Sequence, residues 1–384
     1  MRVDRRQILY AGLAGSALLL AAPSLLPAHP PGDRRLIFII QRGALDGLQA
    51  VPAIGDPDFA GMRGVLGEVP GVQKLDSMFG LHPSLANVGK LYAQKQALFV
   101  HAVASPYRDR SHFDGQNVLE SGGLQPFDMD NGWLNRLMGL ESGLNAISFS
   151  AGVPLALAGP NPVASFEPAP VGRLNEPLLA KVGALYADDP QLHPLWTEAV
   201  DTRRRALEIQ QGSPKASSQA DRLARLATGF LTARNGPRIA MIETQQWDTH
   251  TQQISRLKNQ LSQFDALIAG LRSGLGDLWK NTLVIAATEF GRTVSINGTG
   301  GTDHGTASVA MLFGGTVAGG RVIADWPGLK RAQQQDERDL KPTSDLHAVI
   351  AGAVADHFGL PPSKAAQTLF PERPVTPFRD LIAT

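Results

Sequence analysis

Four apolar runs along the chain, at residues 36–40, 97–103, 238–243 and 281–287, are each followed at once by polar residues. Each run is too short for a globular helix and is nearly continuous rather than alternating. That is the pattern of a strand covered on both faces, as in a parallel sheet. Residues 308–313 and 321–323 read as further strands. Between them lie helical patterns. Residues 84–94 follow His82-Pro83. Ile254, Leu257, Leu261, Phe264, Ile268 and Leu271 form an i+3/i+4 stripe, and residues 345–358 end at Gly359. Strands alternating with helices predict an α/β fold with a central, mostly parallel sheet flanked by helices. From about residue 122 to 235 the rhythm changes. Helices are expected at 131–140, 176–186, 195–211 and 218–233, with short strands at 146–150 and 155–158. This stretch is expected to be a helical insertion packed on the sheet edge.

The first residues belong to a different class. Arg2, Arg5 and Arg6 precede an apolar run from Ala11 to Ala22, then Pro23, Pro27 and a small residue at Ala28. This is the layout of a signal peptide. The apolar run is shorter than the roughly 20 residues a spanning helix needs, so no permanent membrane anchor is expected. The adjacent Arg5-Arg6 resembles a twin-arginine signal, which implies the Tat export machinery as a partner and a periplasmic or secreted destination. Residues 1–28 are therefore set apart, leaving 29–384 as one domain. The leader's Arg2, Arg5 and Arg6 against Asp4 give +2, so the formal net charge of +1 leaves the remainder at −1. That balance gives no electrostatic basis for nucleic-acid binding. The chain contains no cysteine, which excludes disulfides, thiolate metal ligands and a cysteine nucleophile.

The polar residues after the four runs carry the candidate chemistry. Asp46 sits between Gly43 and Gly47 after the first; a turn aspartate bonding its own backbone is the plainer account of it. Ser111 and His112 follow the second, flanked by Arg108 and Arg110. Ser111 has the position of a helix N-cap, and the same position beside free N–H groups suits a nucleophile or an anion site. Asp248 and His250 follow the third run, at a spacing that turns both side chains to one side of an extended backbone. Glu289 and Arg292, then Asp303 and His304 beyond a glycine-rich loop, follow the fourth. Ligands in open α/β sheets bind beyond the carboxyl ends of the strands. Carboxylates gathered there repel unless cations neutralise them. A sulfur-free Asp/Glu/His set suits a divalent metal, with zinc or manganese ahead of calcium.

Taken together, Gly43 to Leu48, Ser111 to Asp114, Trp247 to His250, Glu289 to Arg292 and Gly301 to Gly305 resemble an exported bacterial family, domain of unknown function 1501. That family resembles a branch of the alkaline phosphatase and sulfatase superfamily. The resemblance implies an alkaline phosphatase-like fold, a Ser/Thr nucleophile at a helix start matched by Ser111, and two metals held by Asp/His residues. Asp46, Asp248, His250, Asp303 and His304 match the metal positions, with Glu289 as the strand-end carboxylate. The sulfatase nucleophile motif is not reproduced by residues 105–110. The expected function is a metal-dependent hydrolase of a phosphate or sulfate ester, small or glycan. In it His112 and Arg292 assist Ser111, while Arg108 and Arg110 hold the anion. The alternative is a non-catalytic exported protein that binds metal, glycan or a partner.

Overall fold

The computed structural model describes residues 33–167, 176–212, 216–373 and 375–383. The leader expected at 1–28 lies outside them.

Eleven strands are formed among these residues: β1 (Arg35–Gln41), β2 (Gln73–Lys74), β3 (Gly80–Leu81), β4 (Ala97–Ala104), β5 (Ala146–Phe149), β6 (Val163–Ser165), β7 (Ile239–Thr244), β8 (Thr282–Ala287), β9 (Ser308–Phe313), β10 (Arg321–Ile323) and β11 (Ser344–Asp345). β2 and β3 make a small separate hairpin, and the other nine form one sheet in the order β10-β4-β9-β8-β1-β7-β5-β6, with β11 also on β4. β1 pairs in parallel with both β7 and β8. β9 is antiparallel to both β8 and β4. β1, β4, β7 and β8 therefore point the same way, and their C-terminal ends share one edge.

The helices are α1 (Gly47–Ala50), α2 (Phe59–Arg63), α3 (Ala86–Ala93), α4 (His112–Ser121), α5 (Trp133–Leu140), α6 (Glu176–Tyr186), α7 (Leu192–Gln211), α8 (Gln219–Leu231), α9 (Gln253–Leu275), α10 (Leu346–Phe358) and α11 (Pro362–Leu369). Successive residues of β1 point to opposite faces. Ile37 and Ile39 pack with α3, α8 and α9, whereas Leu36, Phe38 and Ile40 pack with α5, α10 and α11. This explains why the run is apolar without alternation. The fold is a mostly parallel mixed sheet between two helical layers.

One local expectation is corrected. Residues 155–158, expected as a strand, form a 3₁₀ turn over Leu155–Leu157 after Pro154; three residues of that turn close their bonds locally and leave nothing for a ladder. Within 122–235, β5 falls in the strand expected at 146–150, and the unexpected β6 pairs beside it to extend the central sheet next to β7. No described helix is long and apolar enough to cross a membrane.

Candidate functional site

The edge shared by β1, β4, β7 and β8 gathers the polar clusters, and three imidazoles meet there around Asp248. His112 is the first residue of α4. His304 returns from the glycine-rich loop after β8: Thr293 and Gly305 donate backbone N–H groups to Asp303 and Gly291, closing a tight hairpin. Gly301 lies so close to His250 that a Cβ would come within 2.2 Å of its backbone. The loop can pack there only because that position has no side chain. Asp248 and His250 lie a few residues beyond the end of β7, and buried Thr249 between them donates to Gln253.

Each imidazole is held at Nδ1. His112 Nδ1 lies 2.7 Å from Glu289 Oε1, His250 Nδ1 lies 3.0 Å from Asp303 Oδ1, and His304 Nδ1 lies 2.9 Å from the carbonyl of Arg110. A carbonyl can only accept, so His304 carries its proton on Nδ1. Glu289 is fully buried, which raises its pKa. Hydrogen bonds from His112, Gln116 and the Gly43 N–H outweigh that burial and leave it lowered. Asp303 is lowered as well, first by Asn297 and then, against some burial, by His250. Both are acceptors, so the neutral forms of His112 and His250 also place their proton on Nδ1. All three Nε2 atoms are then bare.

Those bare nitrogens converge. His250 Nε2 and His304 Nε2 are 2.9 Å apart. Asp248 Oδ1 lies 3.1 Å from the first and 3.4 Å from the second. His112 Nε2 lies 3.6 Å from Asp248 Oδ2, too long for a hydrogen bond, and is buried without a hydrogen-bond partner. Ligand atoms of His112, Asp248 and His304 all fall within 4.8 Å of one another. The rings are braced from behind by Phe290, whose centroid is 5.0 Å from His112 and 5.2 Å from His304.

Lone pairs that face each other repel, and so do the carboxylates behind them. Asp248, Glu289 and Asp303 carry three negative charges, and Arg292, buried at 2 % exposure, supplies one positive charge through Asp248 Oδ1 at 2.7 Å. With neutral imidazoles the group stands at −2 and asks for a cation. His112 registers the same demand. Burial depresses its pKa, yet Asp248 and Glu289 outweigh that and raise it to about 9. The donor set fits a divalent ion. Imidazoles whose Nδ1–H groups are engaged by carboxylates or a carbonyl are the usual metal-ligating form. Donors about 2 Å from one zinc would lie roughly 3.3 Å apart, close to the separations found here.

Residues 163–360 match the family described as a protein of unknown function, DUF1501. This chain belongs to the DUF1501 family. No curated protein matches it. Solved structures similar to this DUF1501 chain include Ps i-CgsB in complex with k-i-k-neocarrahexaose, 11 % identical, with 87 % of this chain and 74 % of that chain covered and a TM-score of 0.39. The C-terminal periplasmic domain of EcEptC from Escherichia coli in complex with Zn is 8 % identical over 75 % and 77 %, with a TM-score of 0.37. Alkaline phosphatase from the Antarctic bacterium TAB5 is 13 % identical over 74 % and 92 %, with a TM-score of 0.36.

The other site expectations are placed differently in the DUF1501 chain. Glu289 and Asp303 stand behind the imidazoles rather than among the converging donors. Asp46 is 1 % exposed and caps α1 through Gln49 N; its Oδ2 takes Arg63 Nη2 and Gln253 Nε2, both at 2.6 Å. Arg292 holds Asp248 and the carbonyl and hydroxyl of Thr302. Arg110 is paired with Asp336 and Asp339, both at 2.7 Å. Arg108 donates to the carbonyls of Ser105 and Tyr107, in a separate cleft lined also by Asp345 and Arg373. Ser111 occupies the N-cap position of α4, but its hydroxyl makes no capping bond. Sequence reading did not single out Gln116, Arg63 or Gln253. Gln116 was accessible to it, being four residues after His112 and so on the same helix face. Nothing in the sequence marks Arg63, which reaches Asp46 only through the tertiary fold.

Proposed function

We propose that this chain is an exported metal-dependent hydrolase of a phosphate or sulfate ester, with His112, Asp248, His250 and His304 as the metal ligands. The observation that carries the reading is the set of three imidazoles, each fixed at Nδ1, whose Nε2 atoms converge on one carboxylate. Zinc or manganese suits that nitrogen-rich set better than calcium. A divalent ion there would act as a Lewis acid toward an ester oxygen. The residues around it divide the remaining work. Glu289, Asp303 and the Arg110 carbonyl fix the tautomers. Arg292 holds one oxygen of Asp248 and leaves the other facing His112. Ser111, uncapped and next to His112, is the candidate nucleophile, and the first N–H groups of α4 would meet the anionic ester. Arg108 and Arg110 would contribute to anion binding only by leaving their present partners. Asp248, His250 and Asp303 have side chains 41 %, 41 % and 52 % exposed, so the cluster opens to solvent and to a small or glycan ester. We read residues 1–28 as the twin-arginine leader that delivers the protein to the periplasm or beyond.

The engagement of Arg108, Arg110 and Asp46 favours one other reading, a metal- or glycan-binding protein without turnover. Metal content measured beside turnover of aryl phosphates and aryl sulfates separates the two. The expected result is bound zinc or manganese and hydrolysis of at least one ester class by the wild type. His304→Ala should lose metal and turnover together. Metal without turnover supports the binding reading, and absence of both metal and turnover defeats the hydrolase reading.

A further inference from the structure

We propose that the centre binds a single divalent ion, and that the guanidinium of Arg63, fixed on Asp46, takes the place of a second cation. This rests on the reading of His112, Asp248 and His304 as metal ligands. Two carboxylates at neighbouring strand ends, Asp46 and Asp248, each need positive charge. Asp248 faces the imidazoles and solvent. Asp46 faces neither.

Arg63 is 0 % exposed and reaches Asp46 from α2. Its Nη1 donates to the carbonyls of Thr293 and Val294 at 3.1 and 3.0 Å, and its Nη2 to Asp46 Oδ2 at 2.6 Å and Gln49 Oε1 at 3.0 Å. Asp46 Oδ1 receives the backbone N–H of Gln49 at 3.1 Å, and Oδ2 also receives Gln253 Nε2. Every one of these donors is buried. A metal ion at Asp46 would have to expel a guanidinium that has no water to go to, leaving a buried charge without its partner.

The same contacts give Asp46 a different part in the site. Gln253 Nε2 donates to Asp46, so its Oε1 must accept. It does so from Thr302 Oγ1 at 2.6 Å and Thr249 Oγ1 at 2.9 Å. With its proton directed to Gln253, Thr302 Oγ1 accepts from Arg292 Nε at 3.2 Å, and Arg292 Nη1 reaches Asp248 Oδ1 at 2.7 Å. A continuous, directionally consistent chain of hydrogen bonds thus runs from Asp46 to the ligand carboxylate. Asp46 is a positioning residue for Asp248.

The test is zinc stoichiometry of the full mature chain by equilibrium dialysis, for the wild type and for the paired variant Asp46→Asn with Arg63→Met. That variant removes both charges at once and leaves one acceptor oxygen, enough for either the Gln49 N–H or Gln253 Nε2 but not both. One zinc per chain is expected in each, with affinity in the variant weaker by about tenfold, as for a partner behind the ligands. Asp248→Asn should bind far more weakly than either. Two ions in the wild type, or loss of zinc in the paired variant, would make Asp46 a ligand and overturn the proposal while leaving the metal reading intact. No zinc in the wild type overturns the metal reading and this proposal with it. Should the paired variant not fold, zinc-edge anomalous diffraction of the wild type decides. A single peak beside His304 supports the proposal, and a second beside Asp46 refutes it.

Discussion

Glu289 is the residue whose change should be felt most widely. It sits fully buried and accepts from His112, Gln116 and the Gly43 backbone at once. Glu289→Gln removes the charge and turns an amide toward groups that themselves donate. Chemical denaturation should show a loss of roughly 2–4 kcal/mol, typical of breaking a buried charged network. Zinc affinity should fall about 10- to 100-fold as His112 loses its anchor. Ser111 should behave in the opposite way. Its hydroxyl makes no capping bond, so Ser111→Ala should change stability by no more than about 0.5 kcal/mol while abolishing ester turnover. Ser218, whose hydroxyl does cap α8 through Asp221 N, provides the control. Ser218→Ala should cost about 1 kcal/mol and leave turnover intact. If Ser111→Ala retains wild-type turnover, the nucleophile role is lost and the hydroxyl is incidental. At this scale the sequence was readable where spacing decides which side chains share a side, as for Asp248 and His250, which meet at 3.1 Å. It was silent on Arg63 and Gln253, because their chemistry comes from elements far apart in the chain.

Elements were easier to read than their partners. Continuous apolar runs mark β1, β4, β7 and β8 because both faces of each are covered, and Gly359 ends α10 in the left-handed conformation. β5 was readable as a short strand, but the three residues of β6 are too few to outweigh the prolines and glycines around them. The return of Asp303 and His304 to the sheet edge was legible only as a question. It is settled by packing, the glycine loop closing against His250 and Arg292. Helix α10 carries a pH effect of its own. His347 and His357 are 1 % exposed, and burial pushes each down to about 3, assisted by nearby arginines. Their neutral forms are the native ones. Above the unfolded value near 6.5 they have no influence on stability. As pH falls from there toward 3 the unfolded chain binds protons that the folded chain refuses, so stability is lost. Each contributes at most about 1.4 kcal/mol per pH unit. Unfolding midpoints measured from pH 7 to pH 4 should fall accordingly, and His347→Gln should flatten the slope by one proton's share.

For the whole molecule, the site is a junction. Residues that follow β4, β7 and β8 meet there, so an ion bound among them adds a further tie to segments already joined by the sheet and by the bonds of Glu289, Asp303 and Arg292. Binding to the folded state alone stabilises by RT ln(1 + [L]/Kd), about 2.7 kcal/mol at a hundredfold excess over Kd. Thermal unfolding should therefore shift upward with added zinc and downward with a chelator, and neither shift should survive in His304→Ala. An unchanged midpoint in the wild type would remove the metal from the account of this fold.

The position of β1 also bears on how the protein is made. Its sheet partners are residues 239–244 and 282–287, far along the chain. During synthesis the first strand to emerge therefore has neither neighbour until Thr244 has left the ribosome, and lacks the second until Ala287 has followed. A continuous apolar segment must wait, unpaired, for most of the translation time. Nascent chains arrested before β7 should hold β1 protease-sensitive, and a chaperone that shields short apolar stretches would find its earliest target there.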